Sequence, residues 1–123
     1  MSKILVVDDD PDILEACKLV LEKEGYAVST AANRPEGMKM VTSGTPDLII
    51  LDVMMEEPDD GFVMAQDLRR QGVKLPIMML TSVGAATGMS FGRDDEMVPV
   101  DEFQSKPIDP TVLIAKVANL LEN

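Results

Sequence analysis

The pattern of apolar and polar positions along the chain predicts five short strands, most of them followed by a helix. The most distinct apolar run is Leu48-Ile49-Ile50-Leu51, which follows the turn-forming segment Gly44 to Asp47 and ends in Asp52. A continuous run of this length, without alternation, is typical of a strand that is buried on both faces. We therefore predict a buried strand whose carboxyl end carries the Asp52 side chain.

Four further runs have the composition of strands. In chain order they are Ile4–Val7, Tyr26–Ala31, Pro76–Leu80 and Val98–Phe103. The second run alternates apolar with polar residues, which predicts a strand at the edge of the sheet. The other three lead into polar groups at their carboxyl ends, namely Asp8-Asp9-Asp10, Thr81-Ser82 and Lys106-Pro107.

Helix signals separate these strands. Capping residues, early prolines and terminal glycines mark helix ends. They predict helices between Asp10-Pro11 and Gly25, between Asn33 and Ser43-Gly44, from about Phe62 to Gln71, and from Asp109-Pro110 onward. Between Ser82 and Val98 stand three glycines, each costing about 1 kcal/mol in a helix relative to alanine. A helix in that segment is therefore expected to be short, broken or mobile.

Some side chains on these helices have specific expectations. Cys17 lies in the apolar stripe of the first helix, which predicts a buried, inert thiol. Arg69-Arg70 near the end of the third helix is interpreted as a solvated face. The last helix is mostly apolar, Val112 included, with Lys116 pointing outward.

The alternation of strands and helices predicts an α/β fold of one domain over residues 1–123. Right-handed crossovers make the sheet parallel, with helices on both faces. The carboxyl ends of parallel strands lie at one edge of the sheet, where open α/β sheets bind their ligands. Three carboxylates, a hydroxyl and an amine are thus expected to converge there.

Composition excludes several classes of function. The net charge is −11, from 22 acidic and 11 basic residues, which argues against direct contact with nucleic acid or an anionic membrane. No apolar run approaches the length of a membrane span. A single cysteine fits a reducing cytoplasm. The chain has no histidine, so any mechanism must work without an imidazole of its own.

The acidic residues at the strand ends predict a metal site. Carboxylates of Asp8, Asp9 and Asp52 held close together would repel one another unless a cation neutralised them. Mg²⁺ suits such a site because it accepts one or two carboxylates together with waters and phosphate oxygens. The alternative is that Asp8 to Asp10 only cap the first helix, a role that we assign to Asp10.

Asp52 is then a candidate nucleophile. Aspartyl carboxylates form acyl phosphates, a reaction that depends mainly on neutralising charge on the transferred group. Thr81 is a candidate donor to one phosphoryl oxygen, and Lys106 is a candidate partner for another oxygen or for Asp52. Thr81 or Lys106 alone is more simply explained as a polar residue at a solvated strand end. Only the combination of polar residues at the ends of four strands favours a phosphoryl-transfer site.

With these residues in place, the whole chain resembles the receiver (response-regulator) domain of two-component signalling. The matching motifs are Asp8-Asp9, Leu51-Asp52-Val53-Met54-Met55, Leu80-Thr81-Ser82 and Lys106-Pro107. The resemblance implies a flavodoxin-like, doubly wound five-stranded sheet with strand order 2-1-3-4-5. It also implies that Asp52 accepts a phosphoryl group from a phosphohistidine of a histidine kinase or a histidine phosphotransfer protein.

The resemblance further implies roles for individual residues. Mg²⁺ would be held by Asp9, Asp52 and the backbone carbonyl of Met54, with Asp8 acting mainly through a water. Phosphorylation would draw Thr81 inward, and the Phe103 ring would follow. This movement would remodel the face of helix 4 (the predicted helix between Ser82 and Val98), strand 5 and helix 5 (the last helix) for a downstream protein effector. Phe103 as simple core filling is the alternative, and the Lys106-Pro107 bond is expected to be cis.

The chain also departs from the family pattern. Glu56 stands where a proline is usual, Gly61 is displaced by one residue, and the gap from Thr81 to Lys106 is long. Met54 and Val83 occupy positions that tune hydrolysis in the family. Both are apolar and cannot orient a water, so the sequence predicts a long-lived phosphoryl group.

Three other functions are compatible with parts of the sequence. A receiver fold that accepts no phosphate and serves as a structural interaction module is the main alternative. An aspartyl-nucleophile phosphatase would need an acid where Met54 stands, and a flavin-binding protein would need more than the 3% aromatic residues present. Because the chain ends at Asn123, just after the last helix, both a stand-alone receiver and an excised domain remain open.

Overall fold

A five-stranded parallel sheet in the order β2-β1-β3-β4-β5 forms the centre of the molecule. The structure, a computed structural model, describes residues 2–53, 60–82, 100–106 and 109–122. The strands are β1 (Lys3–Val7), β2 (Ala27–Ala31), β3 (Leu48–Asp52), β4 (Ile77–Ser82) and β5 (Glu102–Lys106). The fold class, the strand order and the edge position of β2 are therefore as predicted.

In the described part of the chain, four helices pack on the sheet, and their bounds follow local signals. They are α1 (Pro11–Lys23), α2 (Arg34–Gly44), α3 (Asp60–Arg70) and α4 (Pro110–Glu122). The side chains of Asp10, Asn33 and Asp109 each accept hydrogen bonds from backbone N–H groups in the first turn of the helix that follows. These caps satisfy donors that have no partner within the helix.

The apolar residues form two cores, one on each face of the sheet. On one face β1, β3 and β4 pack against Val41 of α2 and Met64 and Leu68 of α3. On the other face they pack against Cys17 and Leu21 of α1 and Leu113 of α4. All five residues of β3 are buried, as the unbroken apolar run predicts. The Cys17 side chain is buried, also as predicted.

The predicted bounds of the fifth strand were wrong. The apolar run starting at Val98 suggested a strand over 98–103, whereas β5 covers Glu102–Lys106 and pairs with Met78–Ser82 of β4. Pairing with β4 defines this strand, and β5 lies at the edge of the sheet, where a polar residue such as Glu102 is half-buried. Helix α3 also begins earlier than expected, at Asp60 rather than near Phe62.

Two side chains, those of Arg69 and Lys116, have contacts that differ from the predictions made from the sequence. Arg69 does not belong to a solvated face, because its guanidinium donates to the carbonyls of Val73 and Leu75 and pairs with Asp101. Lys116 turns toward β5 instead of outward, since its ammonium group contacts the carbonyl of Phe103.

In the part of the chain that the structure describes, no helix has the length and apolar character needed to cross a membrane. The predicted short or broken helix between Ser82 and Val98 lies outside the described residues.

Candidate phosphoryl-acceptor and metal site

The carboxyl ends of four neighbouring strands bring the candidate residues to one edge of the sheet. Asp8 follows the last residue of β1, and Asp52 is the last residue of β3. The register pairs Val7 with Leu51, so the ends of these two adjacent strands are level. On the other side, Thr81 in β4 lies opposite Ser105, and Lys106 in β5 pairs with the following residue of β4. The carboxyl ends of these four strands therefore lie at one edge of the sheet, as the sequence predicts.

Three carboxylates form a compact cluster at this edge. Asp8, Asp9 and Asp52 each offer one oxygen, and these oxygens all lie within 4.8 Å of one another. Asp8 is fully buried and Asp52 is 4% exposed, whereas Asp9 is exposed. Like charges this close, two of them withdrawn from water, repel strongly. The cluster is therefore suited to binding a cation.

The neighbouring backbone fixes the position of Asp8. Its N–H donates to the Ala31 carbonyl at 3.1 Å, which ties the end of β1 to the end of β2. Its Oδ1 accepts the Asp10 N–H at 2.9 Å. Asp10 in turn accepts from the Asp12 N–H at 2.9 Å and caps α1. Asp10 therefore caps α1, as predicted, whereas Asp8 and Asp9 belong to the carboxylate cluster.

The donor set of the cluster fits a hard divalent cation. Carboxylate oxygens are the ligands that Mg²⁺ prefers, and Mg²⁺ uses only one or two of them directly while keeping waters and phosphate oxygens. Asp9 is exposed, so one carboxylate of the cluster is accessible to solvent. Asp8, Asp9 and Asp52 would hold such an ion.

The structure describes only some of the other residues predicted for the site. Thr81 in β4 is 2% exposed, although threonine is mostly exposed in proteins. Phe103 in β5 is partly buried against the core shared by α2 and α3. Lys106 lies in β5 by its backbone. Met54, Val83, Pro107 and the Lys106-Pro107 bond geometry fall outside the described residues.

Sequence reasoning missed two residues beside the site. Asp60, interpreted as part of an acidic loop, is the buried first residue of α3 and pairs with Arg34 of α2 at 3.4 Å. The next residue, Gly61, donates its N–H to the Val53 carbonyl at 2.9 Å. The Asp-Gly pair directly before a helical pattern was the available signal, since aspartate favours helix starts and glycine favours close backbone approach.

Comparisons with known proteins identify relatives of this architecture. The profile of a family described as the response regulator receiver domain matches residues 4–118. Among solved structures, the response regulator TrrA from Thermotoga maritima, in complex with Mg²⁺ and BeF, is 34% identical with a TM-score of 0.81. It covers 98% of this chain and 99% of its own. A putative response regulator from Chloroflexus aurantiacus is 30% identical with a TM-score of 0.85, over 99% of this chain and 98% of its own.

Curated relatives are longer proteins. The DNA-binding dual master transcriptional regulator RpaA of Synechocystis is 36% identical over 98% of this chain and 49% of its own length. The alkaline phosphatase synthesis transcriptional regulatory protein PhoP of Bacillus subtilis is 37% identical over 98% of this chain and 48% of its own. The chain thus spans about half the length of the curated relatives that it matches.

Proposed function

The chain belongs to the response regulator receiver domain family, a family of signalling domains, and we propose that it is a switch activated by phosphorylation of Asp52. The phosphoryl donor is the phosphohistidine of a sensor histidine kinase or of a histidine phosphotransfer protein. The domain catalyses its own phosphorylation rather than turning over a small substrate. The observation that carries this proposal is the cluster of Asp8, Asp9 and Asp52, in which Asp52 is buried.

The transfer reaction needs little from the chain beyond a positioned nucleophile. A carboxylate oxygen of Asp52 attacks the phosphorus, the P–N bond to the partner imidazole breaks, and the imidazole leaves with the electron pair. The result is an acyl phosphate on Asp52 and an unphosphorylated histidine on the partner. This chain supplies no histidine, so the donor imidazole must come from outside.

Neutralising charge is the second requirement of the reaction. Asp8, Asp9 and Asp52, with the Met54 carbonyl as a further proposed ligand, would hold Mg²⁺, which would supply positive charge beside the phosphoryl oxygens. Thr81 donates its hydroxyl proton to one phosphoryl oxygen. Lys106 provides a second positive charge for the phosphorylated state. These roles rest on the shared strand edge and on the family resemblance.

The proposed output passes through Phe103. As Thr81 moves toward the phosphoryl group, space opens beside β5 and the Phe103 ring changes position against the core. The surface next to β5, including α4, then changes shape for a downstream protein effector. A Lys106-Pro107 cis bond is part of the same proposal.

The prediction that no nucleic acid is contacted directly does not extend beyond this segment. Its basis is the net charge of −11 of these 123 residues. The curated relatives are named as transcriptional regulators, one of them DNA-binding, and this chain spans about half of their length. We propose that this domain itself acts by protein contact and that any DNA contact would belong to other parts of a longer protein.

The first test is intact-mass analysis after incubation with acetyl phosphate. We expect the wild-type protein to gain the mass of one phosphoryl group only when Mg²⁺ is present, and Asp52→Asn to gain none. Asp47→Asn is a matched control, because Asp47 precedes the same strand at the opposite edge, where it accepts the Lys3 N–H. It should be labelled like the wild type.

A second candidate function gives the opposite result. If the domain is a structural module that accepts no phosphate, the wild type stays unlabelled under conditions that phosphorylate a known receiver domain. Labelling of Asp52→Asn to the wild-type extent would also overturn the proposal, since the acceptor would then be another residue.

A further inference from the structure

We infer that Arg34, acting through Asp60, is a positioning residue for the backbone that follows Asp52. The inference rests on the proposed function, because it concerns the same site. Asp60 is 5% exposed, and burying a carboxylate is costly unless a positive charge or hydrogen bonds compensate it. Arg34 Nη1 lies 3.4 Å from Asp60 Oδ1, so the guanidinium contributes this compensation from a neighbouring helix.

Asp60 is connected to the acceptor strand through one residue. Gly61 follows it and donates its N–H to the Val53 carbonyl at 2.9 Å. A Cβ atom at position 61 would lie 2.1 Å from the carbonyl oxygen of Asp52, which shows how closely the start of α3 touches the acceptor residue. A shift of Asp60 is therefore transmitted to the backbone of Asp52 and Val53.

Arg34 lies in the capped first turn of α2. Asn33 caps α2 by accepting the Glu36 N–H at 2.9 Å, which fixes the first turn that contains Arg34. One turn further, a Cβ at Gly37 would lie only 3.0 Å from a methyl group of Val7, the residue before Asp8. Helix α2 is thus packed against the end of β1, and Arg34 links that end to the start of α3.

Through α2 and α3, these contacts connect the strand end that carries Asp8 and Asp9 with the strand end that carries Asp52. Asp8 and Asp9 follow β1, on which α2 packs, and Asp52 ends β3, which α3 touches. Neither Arg34 nor Asp60 belongs to the three-carboxylate cluster. Partners outside a metal site commonly set its affinity by fixing the residues that bind the ion. Arg34 acts in this way on the geometry in which the cluster binds a cation.

The test compares Arg34→Gln with Arg34→Lys and with Arg70→Gln. Arg70 is the matched control, because it also pairs with an aspartate, Asp67 at 3.0 Å, and its loss changes the net charge equally. Mg²⁺ affinity is measured by calorimetry without any phosphoryl donor. In Arg34→Gln we expect it to be about tenfold weaker. Arg34→Lys should recover most of the loss, and Arg70→Gln should match the wild type.

A second readout follows the backbone without a metal or donor. The Gly61 amide, bonded to the Val53 carbonyl, should exchange its proton about tenfold faster in Arg34→Gln than in Arg70→Gln. Unchanged Gly61 exchange, or unchanged Mg²⁺ affinity together with lower thermal stability, would overturn the inference. Failure of the proposed function is distinguishable, since it removes labelling of wild-type Asp52 while leaving the Gly61 comparison intact.

Discussion

Gly61 shows how a single residue sets the geometry of the acceptor. A methyl group at this position would lie 2.1 Å from the Asp52 carbonyl oxygen and 2.8 Å from the Val53 Cα atom. Both of these are backbone atoms, which cannot move away as the end of a flexible side chain can. The absence of a side chain is thus a requirement for α3 to start this close to β3.

Gly61→Ala is accordingly expected to disturb both stability and phosphorylation. The overpacked methyl group should lower the free energy of unfolding by more than about 2 kcal/mol, as measured by urea denaturation. Acetyl phosphate labelling of the fraction that remains folded should slow as well. Gly44→Ala is the control, since a Cβ at Gly44, in the last turn of α2, meets no atom within 4 Å. Equal stability of the two variants would contradict this account.

The identity of Met54 sets a second expectation at the residue scale. An apolar side chain two positions after the acceptor cannot hold a water for attack on the acyl phosphate, and Val83 has the same limitation. The phosphoryl group should therefore be lost slowly from the isolated domain. Met54→Asn, which can orient a water, should accelerate the loss by about tenfold or more, whereas Met54→Leu should not. Intact mass followed over time distinguishes these results, and rapid loss from the wild type would refute the expectation.

At the scale of the elements, β5 is held to α4 by side chains that bind its outer edge. The Phe103 N–H donates to Glu102 Oε1 at 2.9 Å, and the Lys116 ammonium group donates to the Phe103 carbonyl. Lys116 also lies 3.7 Å from Glu102 Oε1. Unpaired N–H and C=O groups of an edge strand invite pairing with other chains, and these contacts cover them at Phe103.

Removing the contacts of Lys116 with β5 should lower the free energy of unfolding more than a typical surface substitution does. Lys116→Met keeps the aliphatic length but loses the hydrogen bond and the ion pair, and we expect the free energy of unfolding to fall by about 1 kcal/mol. Lys18→Met, on the exposed side of α1, is the control and should change stability by less than about 0.5 kcal/mol. Urea denaturation of both variants measures the difference, and equal losses would show that the link contributes nothing.

The strands and helices differ in how far the sequence predicts them. Elements with an unbroken apolar run or a cap, such as β3 and α1, were predicted with nearly their observed bounds. The fifth strand was misplaced because its polar residues are stabilised by pairing with β4, which no local pattern reveals.

The same limit applies to the candidate site. The carboxylates at strand ends were predictable, whereas the Arg34–Asp60 pair joins residues 26 positions apart and depends on how α2 packs against α3.

For the whole molecule, the carboxylate cluster opposes folding. The chain carries a net charge of −11, and three of its carboxylates are gathered at one edge with two of them buried. Folding brings these charges together, which an unfolded chain avoids. A cation that binds only the folded cluster removes this repulsion and shifts the equilibrium toward the folded state by mass action.

The stability of the domain should therefore depend on Mg²⁺ through Asp52. At tenfold its dissociation constant, Mg²⁺ should raise the wild-type free energy of unfolding by about 1.4 kcal/mol. Without Mg²⁺, Asp52→Asn should be more stable than the wild type by about 1 kcal/mol, because one of three repelling charges is gone. Its gain on adding Mg²⁺ should fall below about 0.5 kcal/mol.

Urea denaturation at constant ionic strength, with Na⁺ replacing Mg²⁺, measures both quantities. Asp47→Asn changes the same charge at the opposite edge of the sheet and should keep the full Mg²⁺ increment. Equal increments in Asp52→Asn and Asp47→Asn would mean that Mg²⁺ acts through the general charge of the surface. A loss confined to Asp52→Asn would instead locate the effect at the edge where the three carboxylates meet.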